Sequence, residues 1–335
     1  MKKFLVFLLL VQLACFVGVA QSAEFDNVGT SGAQFLKLDV DARVVGLGGA
    51  NAAVSRGAMS LYYNPAGIAD MEESSVAFSY TDWIADITYN YLAYSRPMSG
   101  FGNVGVHVAL LMMDDMERTT LEQPDGTGEM FGASSWVFGI SNAHQLTNRF
   151  SFGVTAKYIH EKISDMTSGS IAFDFGTLYY TGFRTLRIAM STRNFGTSTK
   201  FGGTELENTL DQDDDPLTQP VEVRLNTEHH PLPLTFRIGL AYDFEFNEDS
   251  KLMATLDGYN TRDQGQQGSF GVEYSWQERL AVRAGYKLEA DEEGVALGGG
   301  YDFDISGFGI LGVNYAWSDL GRLENAHRFS ASLTF

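Results

Sequence analysis

The chain has 335 residues and a formal charge of -19, with 42 acidic side chains against 23 basic ones. That balance argues against nucleic-acid binding, which needs clustered lysine and arginine, and suits a secreted or surface protein with hydrated acidic loops. Beyond the first 20 residues no run of 18 apolar residues occurs, which excludes a transmembrane helix there.

Residues 1–20 read as a secretory signal peptide. Lys2 and Lys3 form a basic start, residues 4–17 are almost wholly apolar, and Gly18-Val19-Ala20 offers a small-residue cleavage site, so the mature chain is expected to start near Gln21. A lipoprotein reading of Leu13-Ala14-Cys15 is weaker: the apolar run continues past Cys15, and Gln12 stands where that motif wants leucine. Cys15 is the only cysteine, so the mature chain has no disulfide or thiol chemistry. Losing Lys2 and Lys3 leaves 21 basic against 42 acidic residues, a formal -21.

Residues 21–72 do not read as spanning strands. Phe35, Leu36, Leu38 and Val40 suggest a short amphipathic turn. Gly46-Leu47-Gly48-Gly49-Ala50 and Ala58-Met59-Ser60-Leu61-Tyr62-Tyr63-Asn64-Pro65-Ala66-Gly67 follow, rich in small residues that allow close backbone packing. Such a segment is expected to fold inside a barrel as a hatch with short helices.

From residue 73 to 335 the chain breaks into segments of the length a tilted strand needs to cross a bilayer. Strands are predicted near 74–82, 87–96, 103–113, 131–143, 149–161, 169–180, 185–195, 233–245, 251–260, 268–276, 279–289, 294–303, 307–317 and 326–335, fourteen in all. Several alternate with period two. Phe236, Ile238, Leu240 and Tyr242 oppose Thr235, Arg237, Gly239 and Ala241; Leu280, Val282 and Tyr286 oppose Ala281, Arg283 and Lys287. The final strand sets Phe329, Ala331, Leu333 and Phe335 against Arg328, Ser330, Ser332 and Thr334. An antiparallel transmembrane β-barrel, apolar face to lipid, is the simplest closure; a soluble two-sheet sandwich is the competing architecture. Connections near 97–102, 144–148, 181–184, 246–250, 277–278 and 304–306 read as short. Those near 114–130, 162–168, 196–232, 261–267, 290–293 and 318–325 read as mostly longer, and as external if the first strand rises from the periplasm. The lumen face mixes Lys157, Arg187, Arg193, Arg237, Arg283, Lys287 and Arg328 with Asp174, Asp243, Glu273 and Asp302, an expected ion-pair lattice between strands.

Motifs for chemistry are poor. Gly100-Phe101-Gly102-Asn103-Val104-Gly105 and Gly307-Phe308-Gly309-Ile310-Leu311-Gly312 match a nucleotide fingerprint, but neither opens a helix after a strand. Asp211, Asp213, Asp215 and Glu222 hold EF-hand spacing, but Pro216 stands where the turn wants glycine. The six histidines, His107 in the lumen and His229-His230 in a loop among them, show no metal spacing and no assignable triad. No cofactor, metal, nucleotide or enzymatic activity is expected. The loop 196–232 carries eight acids against Lys200 and Arg224, and Asp211, Asp213, Asp214 and Asp215 are its densest stretch, a candidate partner-docking element.

Two segments carry a family resemblance: Ala42-Arg43-Val44-Val45-Gly46-Leu47-Gly48-Gly49-Ala50, and Ser60-Leu61-Tyr62-Tyr63-Asn64-Pro65-Ala66-Gly67-Ile68-Ala69. Together they resemble the amino-terminal signature of the PorV/PorQ family. The Asn64-Pro65-Ala66-Gly67 element is also similar to one in the FadL fatty-acid channels. The resemblance implies a fourteen-stranded outer-membrane barrel with an N-terminal hatch. Phe335 resembles the terminal aromatic signal read by barrel-assembly machinery. PorV-like members serve type IX secretion, so the implied function is non-enzymatic binding of translocon and cargo proteins within outer-membrane lipid. The alternative is a FadL-like transporter of hydrophobic small molecules.

Overall fold

The structure is a computed structural model, and it describes residues 27–210, 221–290 and 292–335. Fourteen antiparallel strands form its wall. They are β1 (Ser75–Asp82), β2 (Thr88–Met98), β3 (Gly102–Met112), β4 (Ala133–Thr147), β5 (Phe150–Ile163), β6 (Met166–Tyr180) and β7 (Arg187–Gly196). The second half holds β8 (Thr235–Asn247), β9 (Ser250–Thr261), β10 (Gln264–Trp276), β11 (Leu280–Leu288), β12 (Val295–Ile305), β13 (Gly309–Asp319) and β14 (Asn325–Thr334). Each pairs with its neighbours in sequence, and β1 pairs with β14 from Ser75↔Thr334 to Asp82↔His327, so the sheet closes on itself. Ser74 and Phe335 extend the seam by exchanging two backbone hydrogen bonds of 2.9 Å. Closure leaves no long edge unpaired, the condition for crossing lipid with strands.

Alternation explains which face meets what. Phe78, Leu92, Val106, Phe138, Met190, Phe236, Phe270, Val282 and Phe329 all point outward and are exposed, while Thr235, Arg237, Glu273, Arg283 and Arg328 are buried in the lumen. An apolar belt around the whole cylinder is untenable in water and natural in lipid. Phe101, Phe183, Phe246, Trp276 and Phe308 ring the end that carries both barrel termini, the periplasmic end by its short turns. Trp136 lies 5.5 Å from Tyr158, and Tyr315 lies 5.0 Å from Phe329, nearer the outer end. Aromatic pairs at such heights mark the headgroup level.

The strands of β4, β5 and β6 run 15, 14 and 15 residues, beyond the ~9–11 a bilayer needs, so one side of the wall rises as a flange above the outer surface. Gly202–Gly203 adds to its top by pairing with Met166 and Thr167. Here two expected loops are corrected. The stretches 162–168 and 261–267 shrink to tight turns at Ser164–Asp165 and Arg262–Asp263. Polar tracts such as Gln264-Gly265-Gln266-Gln267 have turn composition, yet they continue the ladder above the lipid, where both faces can be hydrated.

Residues 31–72 lie inside the lumen as short 3-10 and α turns: Gln34–Lys37, Ala42–Gly46, Gly57–Met59, Ser60–Tyr63 and Pro65–Ile68. No turn exceeds five residues, because each is held by the wall rather than by helix propensity. Leu36, Val40, Leu47, Leu61, Tyr63 and Ile68 are fully buried between hatch and wall.

Candidate functional site

The Asn64-Pro65-Ala66-Gly67 motif lies on the floor of the lumen, at the periplasmic end. Asn64 Oδ1 accepts from Ala66 N at 3.1 Å and caps the Pro65–Ile68 turn. Its Nδ2 donates to Ala52 O at 2.9 Å and to Thr177 O of β6 at 3.1 Å. Glycines on the wall make room for it: a Cβ on Gly153 would lie 2.5 Å from the Pro65 carbonyl carbon. Farther down, Asn103 Nδ2 donates to Ile68 O at 2.6 Å and to Met71 O at 2.9 Å.

One half of the wall, β8 to β11 with β14, holds the hatch by charge. Arg43 grips Glu273 with two hydrogen bonds of 2.8 and 2.9 Å, and Arg283 shares the same carboxylate at 2.5 Å. Lys287 pairs with Asp39 at 3.0 Å and with Glu293. Asp257 Oδ2 accepts from Asn51 N at 2.8 Å and Ala52 N at 3.0 Å, and pairs with Arg237 at 3.1 Å. Arg328 donates to Asp39 O at 3.1 Å, and Ser330 to Asp41 Oδ1 at 3.0 Å. Burial pushes the Asp41 carboxyl above its ordinary value. The same burial acts on Asp39, but Lys287, Arg237 and Arg328 outweigh it and hold that carboxyl below the ordinary value.

The opposite half holds the hatch with aromatic rings. The Tyr62 hydroxyl donates to Leu38 O at 2.8 Å and lies 3.1 Å from the Tyr89 hydroxyl. Tyr91 donates to Ala58 O at 3.2 Å. Tyr63 accepts from Val40 N at 2.8 Å and Asp41 N at 2.9 Å, and burial lifts its pKa well above the usual phenol range. The Arg193 guanidinium stacks 4.4 Å over the Tyr62 ring.

The head of the hatch reaches the outer mouth. Gln34 donates to Asp263 at 2.7 Å and Lys37 pairs with it at 3.0 Å, in the outer turn after β9. Gly32 N donates to Pro231 O at 3.0 Å, and Leu232 is buried with Phe35 and Leu36. Thr199 and His230 bridge the base of the long outer loop beside it. A polar cavity of about 380 Å3, lined in part by Arg43, Arg279, Arg283 and Glu273, opens instead at the periplasmic end.

The lattice anticipated in the lumen is present: Lys157–Asp174 at 2.8 Å, Arg187–Asp243 at 2.9 Å and Arg283–Glu273. The sequence reading missed Asp257, Tyr89 and Tyr91, although each falls in lumen phase on its strand. It also missed Asp39 and Asp41, whose partners lie more than 200 positions away. His107 is buried in a notch left by Gly139, 5.9 Å from the Tyr91 ring, and neither ring nitrogen has a hydrogen-bond partner among the described residues. The glycine fingerprints are periplasmic turns, with positive φ at Gly100, Gly102, Gly307 and Gly309. Phe335 sits at the seam, its ring 6.3 Å from Phe308. Asp211, Asp213, Asp214 and Asp215 lie outside the described residues.

Comparison with known proteins gives the same architecture. The Pseudomonas putida toluene transporter TodX aligns with a TM-score of 0.58 at 12% identity, covering 89% of this chain and 98% of that one. The CymD monoaromatic hydrocarbon channel aligns at 0.55 and 13%, covering 88% and 96%. The Ralstonia pickettii toluene transporter TbuX aligns at 0.55 and 13%, covering 89% and 98%. At these identities the likeness is one of fold. No curated protein sequence matches the chain at a significant level. The family model described as "Type IX secretion system protein PorV" matches residues 21–261. The chain belongs to that PorV family, and it is a closed fourteen-stranded β-barrel of the outer membrane.

Proposed function

We propose that the protein is a non-enzymatic binding component of type IX secretion, recognising translocon and cargo proteins with its outer face and external loops. The observation that supports this reading is a hatch fastened to the wall along its whole length, with a polar cavity of about 380 Å3 left beneath it at the periplasmic end. The hatch is tied at its head by Asp263, at mid-height by Asp257 and Lys287, and at its floor by Asn64 and Asn103. A hatch tied in this way from the outer mouth to the floor favours a role for the outer surfaces of the barrel. Affinity purification of the tagged protein from its native outer membrane tests the reading: translocon or cargo proteins should co-purify in stoichiometric amounts, and their absence would refute it.

A second reading, transport of hydrophobic small molecules, draws on one feature of the wall. Between β6 and β7 the register shifts from Phe173↔Phe195 to Phe175↔Thr192, with Asn194 at φ +62°. Bulges of this kind can re-aim a wall. Here Lys157, Asp174 and Pro233 O all bond Asn194 and brace it. Uptake of a fluorescent fatty acid into proteoliposomes containing the barrel would support transport; equality with empty liposomes supports the binding role.

A further inference from the structure

Above the flange the loop after β3 folds back as a small hairpin, Met116–Glu117 against Met130–Phe131. Arg118 clasps Glu205 of the long outer loop, and Glu205 also accepts from Ser164 at 2.5 Å. Between the hairpin, the Ser164–Asp165 turn and Glu205 lies an open groove of about 710 Å3. Its lining is mixed, with Met112, Met113, Met130 and Phe131 beside Asp115 and Asp165. Met116 and Met130 are 47% and 60% exposed, and Leu121 at the hairpin tip is fully exposed. Met113, Met116, Leu121, Met130 and Phe131 are not part of the lipid belt. The hairpin starts beyond the outer ends of β3 and β4, and the aromatic marker Trp136 lies lower on β4. Among the described residues Met116, Leu121 and Met130 stand exposed, and a clustered apolar surface in water marks a contact site. Thioether side chains adapt to partners of varied shape.

The rim is anionic. Residues 113–132 carry Asp114, Asp115, Glu117, Glu122, Asp125 and Glu129 against the single base Arg118, which is already paired with Glu205 and Glu129. Lys162 is the other cation lining the groove. The described part of the neighbouring loop adds Glu205, Glu207, Glu222 and Glu228 against Lys200 and Arg224. Apolar side chains inside such a rim disfavour phosphate and acidic peptides and favour cations that carry apolar neighbours.

We infer that this groove docks a peptide segment of a partner protein in which lysine or arginine alternates with large apolar side chains. The inference rests on the partner-binding reading above and supplies the chemistry of the partner.

The test uses the full barrel in zwitterionic nanodiscs and a fluorescein-labelled Lys-Leu-Lys-Leu-Lys-Leu peptide, with empty nanodiscs subtracted. Binding followed by anisotropy should saturate, weaken about tenfold in the Met113→Ser/Met130→Ser variant, and weaken steeply between roughly 50 and 500 mM salt. Glu-Leu and Lys-Ser peptides of the same length should not bind. Heat-modifiable migration on gels checks that the variant is folded. Absence of saturable binding, equal binding of the Lys-Ser peptide, or an unaffected variant would overturn the groove. Translocon proteins still co-purifying with the variant would overturn the groove alone; their absence from the wild type would overturn the broader role.

Discussion

A Cβ built on Gly176 of β6 would lie 2.0 Å from Asn64 Oδ1 of the hatch. The wall glycine and the hatch asparagine are therefore in contact with no room for a methyl group. Gly176→Ala must push Asn64 away, and Asn64 then loses its hold on Thr177 O and its cap on Ala66 N. Overpacking of this kind costs roughly 1–3 kcal/mol. Limited proteolysis should cut near residues 60–70 sooner than in the wild type, while the barrel keeps its heat-modifiable migration. Unchanged protection of that segment would count against the motif as a floor anchor.

Glu273 is the shared partner of Arg43 from the hatch and Arg283 from β11, and its side chain is only 5% exposed. Glu273→Gln leaves two guanidiniums facing a neutral amide. Removing one member of a buried pair costs about 3–5 kcal/mol, and the half-exposed Arg43 moderates its part. The denaturant midpoint in detergent should fall. Adding Arg43→Met should recover part of the loss, because it removes one of the stranded charges. A double variant less stable than Glu273→Gln would contradict this account.

The wall was legible in the sequence because lipid on one side and a polar lumen on the other impose a strict period of two. The terminal strand from Arg328 to Phe335 and the strand around Arg237 show it without ambiguity. Strand ends were less legible: above the lipid both faces are wet, so Gln264–Gln267 reads as a turn while it pairs with β9. The hatch was visible only as small residues. Its geometry depends on partners such as Lys287 for Asp39 and Gly285 for Gly48, hundreds of positions away, and no local pattern encodes those contacts.

Asp39 and Asp41 give the hatch a response to acid with two signs. Asp39 is held below its ordinary 3.8, so its tie to Lys287 is fully present above that value and is lost as pH falls through the lowered pKa. Asp41 is raised by burial, so protonation on mild acidification relieves a cost. The hatch should therefore stay docked through mild acid and loosen only below 3.8. Lys287→Met removes the largest of the attractions that offset burial at Asp39, so its carboxyl moves up from the wild-type value and its ionised form is less stabilised at neutral pH. Melting midpoints from roughly pH 3 to pH 8 should show the variant below the wild type at neutral pH and the gap narrowing in acid, as Asp39 protonates and the tie to Lys287 no longer counts. A variant curve parallel to the wild type would disprove the role given to Lys287.

The hatch runs from the outer mouth downward. Gln34 and Lys37 bind Asp263 in an outer turn, Gly32 bonds Pro231 of the outer loop, and Asn27 to Thr30 are exposed beyond them. At the other end Ile68 and Met71 are held by Asn103, beside the periplasmic turn that contains Gly100. A protease site inserted between Asn27 and Val28 should accordingly be cut on intact cells by enzyme added outside. The same site inserted between Gly100 and Phe101 should resist until the outer membrane is opened. The two sites sit at opposite ends of one lumen, so their order of cleavage reads the direction of the hatch and the orientation of the barrel together. Cleavage at Asn27 only after permeabilisation, with Gly100 cut from outside, would mean that the barrel stands the other way up and that the flange and its loops face the periplasm.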